Sequence, residues 1–459
     1  MHRLKLLLVV CTTLMIVSCS KDPSTTTENK LPTVADFDHT IINDWNQRFL
    51  EIERYSDGYR PGPAPRGLAY LGLSAYEACL PGMKDFNSIS TMWPAIVTPV
   101  SDETLEYNWP LVINASYNYL MPLFFSQASP QQRQTIENTY QLNLTKYSKD
   151  VSNEIVQRSI SRGTQVAEAI WNWAKSDAIG HEHYLHPADG YDWTEHYHKF
   201  GDWKPTIPGP GKGIGGVWGK ARTFALNSEA DKICRPPIQF SENTSSEFYS
   251  QALETYTQNT PSLSYEKKWL AYYWSDDFNN VTFSPGPRWI AIGLQAMDIS
   301  SSNLEDAVFA TAKAGIALND ASVACWESKY YYNLERPETY IQRVIDPNWE
   351  PVLDNISNND KGVTPPFPAY PSGHSTMGGA ASEIYGNMFG YSFAMSDKCH
   401  ADRTDFLGAP RNFPSFSAMA QENAWSRIPL GVHFRMDGEE GVRFGTEIGR
   451  KVNKLKWKK

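Results

Sequence analysis

The stretch that decides the fold is "LEDAVFATAKAGIALNDASVACWESKYYYNLERP", residues 304–337. From Leu304 to Tyr331 its apolar residues recur at spacings of three and four, the period of an amphipathic or buried helix. Near its end stand two cations, Lys329 and Arg336, seven residues apart. On a continuous helix that spacing puts both on one face about two turns apart, with Pro337 stopping the helix. Two cations on an aromatic-rich helix also describe an ordinary solvated edge.

The same period recurs along the chain. "RGLAYLGLSAYEACL" (66–80), "NWPLVINASYNYLMPLFF" (108–125), "SPQQRQTIENTYQLNL" (129–144), "SNEIVQRSISRGTQVAEAIWNWAKS" (152–176), "WIAIGLQAM" (289–297) and the segment from Ser372 to Phe389 all carry it. A last helix is expected from Asp437, where "DGEE" (437–440) reads as a capping box. Alternating stretches are few, so the fold class is mostly α. "LSAYEAC" (73–79) and "NDASVAC" (319–325) echo each other, which suits two related helical bundles packed side by side, residues 36–245 and 246–459.

Of 459 residues 41% are hydrophobic and 20% charged, and the net charge of −9 excludes a global basic field for nucleic acid. Any anion site must be a local gathering of cations. Between Ile179 and Glu242 the helical pattern gives way to Gly, Pro, His and Trp, including five of the ten histidines: His181, His183, His186, His196 and His198. This reads as a structured connection, with a metal site as the alternative. "GKGIGG" (211–216) lacks the Lys-Ser/Thr ending of a phosphate-binding loop.

The N-terminus, with His2, Arg3 and Lys5 before an apolar run to Val17, reads as a secretory signal (residues 1–18). "IVSC" (16–19) resembles the lipobox of bacterial lipoproteins, in which the cysteine is lipidated. Cys19 would then anchor the chain to the bacterial cell envelope, with residues 19–35 as a tether. Beyond Cys11 and Cys19 four cysteines remain, Cys79, Cys234, Cys325 and Cys399, without zinc spacing and with disulfides left open.

Two further motifs join Lys329 and Arg336. In "PAYPSGHSTMGG" (368–379) Ser372, Gly373 and His374 stand at an expected helix start, where unpaired amides and the dipole favour an anion. Alone, this is also a plain N-cap. In "SRIPLGVHFRMD" (426–437) Arg427 and His433 flank a Pro-Gly turn. Asp437 follows His433 by four residues, close enough to fix its tautomer and leave the other ring nitrogen free. Alone, this is also a salt-bridged loop.

Together, Lys-x6-Arg-Pro, Pro-Ser-Gly-His and Ser-Arg-x5-His-x3-Asp resemble the three-part signature of the acid phosphatase and vanadium haloperoxidase superfamily, with the likeness running over about residues 60–455. The resemblance implies an oxyanion cage. Lys329, Arg336, Arg427, Ser372 and the Gly373 amide would hold vanadate or phosphate, His433 would be its axial ligand or nucleophile, and His374 would move protons.

Two activities follow from the resemblance. One is vanadium-dependent oxidation of a halide by hydrogen peroxide; the other is acid phosphatase hydrolysis of a phosphate ester through a phosphohistidine. Trp326 and Phe367, in "PPFPAYPSGH" (365–374), match wall positions of the chloroperoxidase branch. In "YWSDD" (273–277) Asp277 resembles an aspartate that braces the cage arginine.

Overall fold

A computed structural model describes residues 31–459 apart from 207–211, 260–263, 356–358, Asp405 and Leu407. Residues 1–30, and with them the signal segment and Cys19, lie outside the described residues. Pro32–Lys459 is one compact unit. Thirteen α-helices run along the described residues: α1 (Thr40–Glu53), α2 (Pro63–Cys79), α3 (Trp109–Phe124), α4 (Pro130–Ser148), α5 (Asn153–Lys175), α6 (Glu247–Gln258), α7 (Tyr265–Tyr273), α8 (Pro285–Ser300), α9 (Leu304–Tyr332), α10 (Pro337–Val344), α11 (Gly373–Phe389), α12 (Phe416–Ser426) and α13 (Arg435–Asn453). The sheet content described is one antiparallel pair, Met395–Asp397 with Arg411–Phe413.

Polar caps set many of the helix starts. Side chains of Asn108, Ser129, Ser152, Ser246, Ser264, Asn303, Ser372 and Ser415 each accept a backbone N–H of the first turn. The stretch read as a tether is docked from Pro32: its carbonyl accepts Trp109 Nε1, and Val34 is fully buried.

Helix α3 packs against α2, α4 and α5, and α11 against α8, α9, α12 and α13, while α2 lies along α9. The alanines of α9 are buried, and Gly315 lets it approach α2 so closely that a Cβ there would lie 2.7 Å from the Leu68 carbonyl oxygen. The α11–α13 contact is tighter still. A Cβ on Gly445 would fall 1.9 Å from the Thr376 carbonyl oxygen, inside any van der Waals contact. This contact brings the N-terminus of α11, at Ser372, against that of α13: Ser372 N–H donates to the Asp437 carbonyl at 2.9 Å.

Two helix boundaries differ from the sequence reading. Helix α9 ends at Tyr332 because Asn333 takes a left-handed conformation (φ +46°), which Asn tolerates as a helix terminator. Pro337 does not stop that helix; it opens α10, where a missing N–H costs nothing. Lys329 and Arg336 are therefore on separate helices. Likewise α13 begins at Arg435, and Asp437 sits in its first turn, where its carboxylate accepts the Phe434 N–H at 3.1 Å. Cys325 lies within α9, not at its end.

The Gly445 contact yields a first prediction. Gly445→Ala should lower stability by about 3 kcal/mol, the upper end for overpacking a close interface. Thermal unfolding of the variant measures this, and an unchanged midpoint would mean that α11 and α13 separate freely.

Candidate active site

Lys329, Arg336 and Arg427 converge from α9, the start of α10 and the end of α12, and none is more than 1% exposed. The proline-rich segment before α11 receives two of them. Lys329 Nζ donates to the Pro368 and Ala369 carbonyls, both at 2.8 Å, and Arg336 Nε donates to the Phe367 carbonyl at 2.8 Å. Prolines have no N–H, so such a segment offers carbonyls with few competing donors. Arg336 also donates from Nη1 to the Val432 carbonyl at 2.8 Å.

Of the three cations, Arg427 is the one with an ion pair among the described residues: Nη2 donates to Asp277 Oδ1 at 3.0 Å, and Nη1 lies 3.0 Å from Oδ2. Asp277 and Arg427 are thus paired through both carboxylate oxygens. Of the donors on these three cations, Arg336 Nη2 and Arg427 Nε are buried without a hydrogen-bond partner among the described residues. An unpaired buried donor of a charged group is costly.

His433 faces these cations. Its Nδ1 lies 2.7 Å from Asp437 Oδ2, and its Nε2 lies 3.1 Å from Arg336 Nη1. Guanidinium only donates, so Nε2 accepts; the ring is neutral with its proton on Nδ1, held by Asp437. Burial, with the charges of Arg336, Lys329 and Arg427, holds His433 well below the ordinary imidazole range.

His374, in the first turn of α11, donates from Nε2 to the Ser275 carbonyl at 2.7 Å, which leaves Nδ1 as its basic atom. Burial first and Arg427 second lower it to about 4. Burial, with a contribution from Arg427, likewise brings Arg336 down to about 10. Lys329 is pushed down by burial and Asp437 up. Burial is the leading cause of each of these shifts, and the neighbouring cations add to it at His433, His374 and Arg336 and oppose it at Asp437.

Ser372 caps α11, its Oγ accepting Ser375 N–H at 3.4 Å, and Gly373 packs where a Cβ would meet the Trp326 ring at 3.0 Å. Trp326 and Phe367 are in contact (ring centroids 5.0 Å apart), and the Phe367 ring lies 5.2 Å from Lys329 Nζ and 5.0 Å from the Arg336 guanidinium. A cavity of about 320 Å³ opens over His374, His433, Arg427 and Gly373, with Trp326 and Phe367 in its wall. All the cage and wall residues read from the sequence are therefore gathered at one place, and Cys19 alone lies outside the described residues.

Other participants have no sequence signal of their own. The Ser275 carbonyl serves both His374 and, at 3.4 Å, Arg427. Ile214, in the Gly-rich connection, accepts Trp326 Nε1 at 3.2 Å and Tyr330 OH at 2.7 Å and lines the cavity. Gly215 beside it has φ +76°, and a Cβ there would meet Trp326 at 2.6 Å, so this part of the connection braces the tryptophan. The histidines nearby are packed or paired: His183 lies against Trp218, His196 stacks on Tyr191, and His186 lies 3.7 Å from Asp189. Among the described residues no His/Cys/Asp/Glu group is arranged to hold a metal ion, and Cys79, Cys234, Cys325 and Cys399 are free thiols.

Comparison with known proteins agrees with this geometry. Residues 309–457 match the family model of the VCPO second helical-bundle domain. The vanadium chloroperoxidase of Curvularia inaequalis is 29% identical over 214 residues, 36% of this chain and 35% of that protein. The vanadium-dependent bromoperoxidase of Ascophyllum nodosum is 30% identical over 96 residues, 18% and 17% of the two chains. The chain thus spans about a third or less of the length of these curated relatives. The structure described as the first bacterial vanadium-dependent iodoperoxidase superposes with a TM-score of 0.78 at 30% identity, over 91% of this chain and 97% of that one. A holo-type bacterial vanadium-dependent chloroperoxidase, 16% identical, shares the fold (TM-score 0.65, 92% and 98% covered). The chain belongs to the vanadium-dependent haloperoxidase family.

Proposed function

We propose that the protein is a vanadate-dependent haloperoxidase that oxidises a halide with hydrogen peroxide. The observation that carries this reading is a pair of buried donors without a hydrogen-bond partner among the described residues: Arg336 Nη2, on the guanidinium that donates to His433 Nε2, and Arg427 Nε, on a side chain that lines the same cavity as His433. Three cations fit a tetrahedral oxyanion of one to two negative charges, and its arrival would offset the positive charge that adds to burial in depressing His433 and His374. Lys329, Arg336, Arg427, Ser372 and the Gly373 amide would hold vanadate, with His433 Nε2 as the ligand. When bound, vanadate supplies an electrophilic centre that activates hydrogen peroxide for a two-electron oxidation without changing its own oxidation state.

The chain's own residues do the rest. Asp437 keeps the proton on His433 Nδ1, so Nε2 presents a lone pair. The Ser275 carbonyl keeps a proton on His374 Nε2, so Nδ1 accepts one from hydrogen peroxide and returns it to the departing water. Overall, hydrogen peroxide, halide and a proton give hypohalous acid and water. Trp326 and Phe367 form an apolar wall against which a large, weakly hydrated anion loses little. At about 320 Å³ the cavity is wider than a halide needs, roughly ten waters' worth of space. Its breadth therefore does not separate halide oxidation from ester hydrolysis; family membership favours the former.

The tests use the full chain. Vanadate-loaded protein should turn over peroxide with bromide. Truncating Lys329, Arg336 or Arg427 to Ala should weaken vanadate binding by roughly 2–5 kcal/mol each. Phe367→Ala should impair halide oxidation more than vanadate binding. No halide-dependent turnover by the loaded protein, with brisk phosphate-ester hydrolysis by the vanadate-free protein, would make it a phosphatase.

A lipid on Cys19 would hold the enzyme at the bacterial cell envelope. The "IVSC" match supports this, and no helix among the described residues is long and apolar enough to cross a membrane. Mass spectrometry of the mature N-terminus should find an acylated Cys19; an unmodified N-terminus beyond it would rule the anchor out.

A further inference from the structure

Behind the turn that holds His374 and Arg427 lies a second buried cluster of charge. Arg288, in the first turn of α8 and 1% exposed, donates from Nη1 to Asp276 Oδ2 at 3.0 Å and to the Tyr273 carbonyl at 2.9 Å. Its Nη2 donates to Asp397 Oδ2 at 2.7 Å. Asp397 is itself held, by Tyr273 OH on Oδ2 at 2.7 Å and by the Cys399 N–H and Gln295 Nε2 on Oδ1 at 2.9 and 3.2 Å. The guanidinium lies over the rings of Tyr273 and Trp274, and His400 contacts it through Nε2. The clamp therefore has one cation, two carboxylates and an imidazole, all buried.

The residues that separate this cluster from the cage are Ser275, Asp276 and Asp277. Ser275 points its carbonyl at His374 and Arg427, and Asp277 points its carboxylate at Arg427. Asp276, between them, turns its side chain the other way, to Arg288. The reversal requires a left-handed backbone at Asp276, φ +41°, which a non-glycine residue keeps only where its surroundings over-determine it. Those surroundings are Arg288 and His400 on the side chain, the latter's Nε2 3.1 Å from Oδ1, and Arg60, whose Nη1 donates to the Asp276 carbonyl at 3.0 Å. A buried ion pair is poor value as a fold stabiliser, since apolar packing of the same volume does as well.

We propose that Arg288, acting through Asp276, is a positioning residue that fixes the Ser275–Asp277 turn and thereby sets where His374 and Arg427 meet the bound oxyanion. Both groups hang on this turn, so a shift of its backbone moves the proton carrier and one of the three cations together. Misplacement of about 1 Å at a reacting centre costs up to about 10²-fold in rate. The inference rests on the haloperoxidase reading for its rate measurement only.

The test compares Asp276→Gly, Asp276→Asn and Asp397→Asn in the full chain. Glycine accepts φ +41° freely, so Asp276→Gly removes the link to Arg288 without straining the turn; its unfolding midpoint should fall, because the buried Arg288 loses one of its two carboxylates, and the site readouts are taken on the folded protein. Its phosphate affinity, by calorimetry, should fall about tenfold. The His374 ring ¹⁵N resonances of the phosphate-bound protein should move as the Nε2 hydrogen bond loosens. With vanadate and bromide, kcat should fall about tenfold or more with little change in the bromide KM. Asp276→Asn, whose amide oxygen still accepts from Arg288, should recover most of each loss.

Asp397→Asn, which leaves Asp276 in place and weakens the hold on Arg288, should shift the same readouts part-way; it decides the matter where Asp276→Gly does not fold. Phosphate affinity and His374 resonances at parent values in the folded variants would overturn the proposal and leave the cluster a stabiliser of the fold. A parent without halide turnover whose Asp276→Gly variant still shifts phosphate affinity and the His374 signals would refute the haloperoxidase reading and uphold the positioning role.

Discussion

Three positive side chains buried around one imidazole nitrogen are the constraint on which the surrounding structure depends. Lys329, Arg336 and Arg427 have lost their water, and Asp277 and Asp437 supply the nearby negative charge. In a low-dielectric interior such a group is held together only by fixed acceptors. Here they are the carbonyls of Phe367, Pro368, Ala369, Val432 and Ser275, delivered by three local devices. Prolines strip donors from one segment, a Pro-Gly turn shapes another, and a left-handed aspartate aims the third. The donors that these acceptors leave unsatisfied are the ones the proposed oxyanion would take.

The helices serve that arrangement by close approach. Gly445 lets α13 lie on α11, so that the N-termini carrying Asp437 and Ser372 share a hydrogen bond. The start of one helix, with Ser372 and Gly373, and the Asp437 carboxylate of the other are thereby tied together. On the proposed reading, the groups that would hold the anion and the carboxylate that orients His433 are a single feature of the packing. On the opposite side, Ile214 and Gly215 press Trp326 into the wall, which gives the long Gly-rich connection a structural task at the site.

The cage was legible because its groups fall in three short motifs that resemble a known signature when taken together, though each alone reads as an edge, a cap or a loop. Lys329, Arg336, Ser372, Gly373, His374, Arg427, His433 and Asp437 need no coordinates to be suspected. The helical class was legible for a similar reason, since the 3.6-residue period survives from Leu304 to Tyr331 without a break.

What escaped was carried by the backbone or by distance. Asn333 ending α9 through a positive φ, and Pro337 starting α10 instead of stopping a helix, are choices between two permitted uses of the same residue. The Ser275 carbonyl has no side-chain signature at all. Arg288 and Asp397 are more than a hundred residues apart and resemble any other charged residues until the fold closes them on Asp276.

The central claim is that an oxyanion completes the buried cluster at His433. A crystal structure of the full chain soaked with orthovanadate, using anomalous scattering to locate vanadium, tests it most directly. The account predicts one strong vanadium peak within bonding distance of His433 Nε2, its oxygens taking donors from Lys329, Arg336 and Arg427, and no such peak in His433→Ala. Vanadium bound elsewhere, or a cage left unchanged with His433 Nε2 still accepting from Arg336, would contradict it.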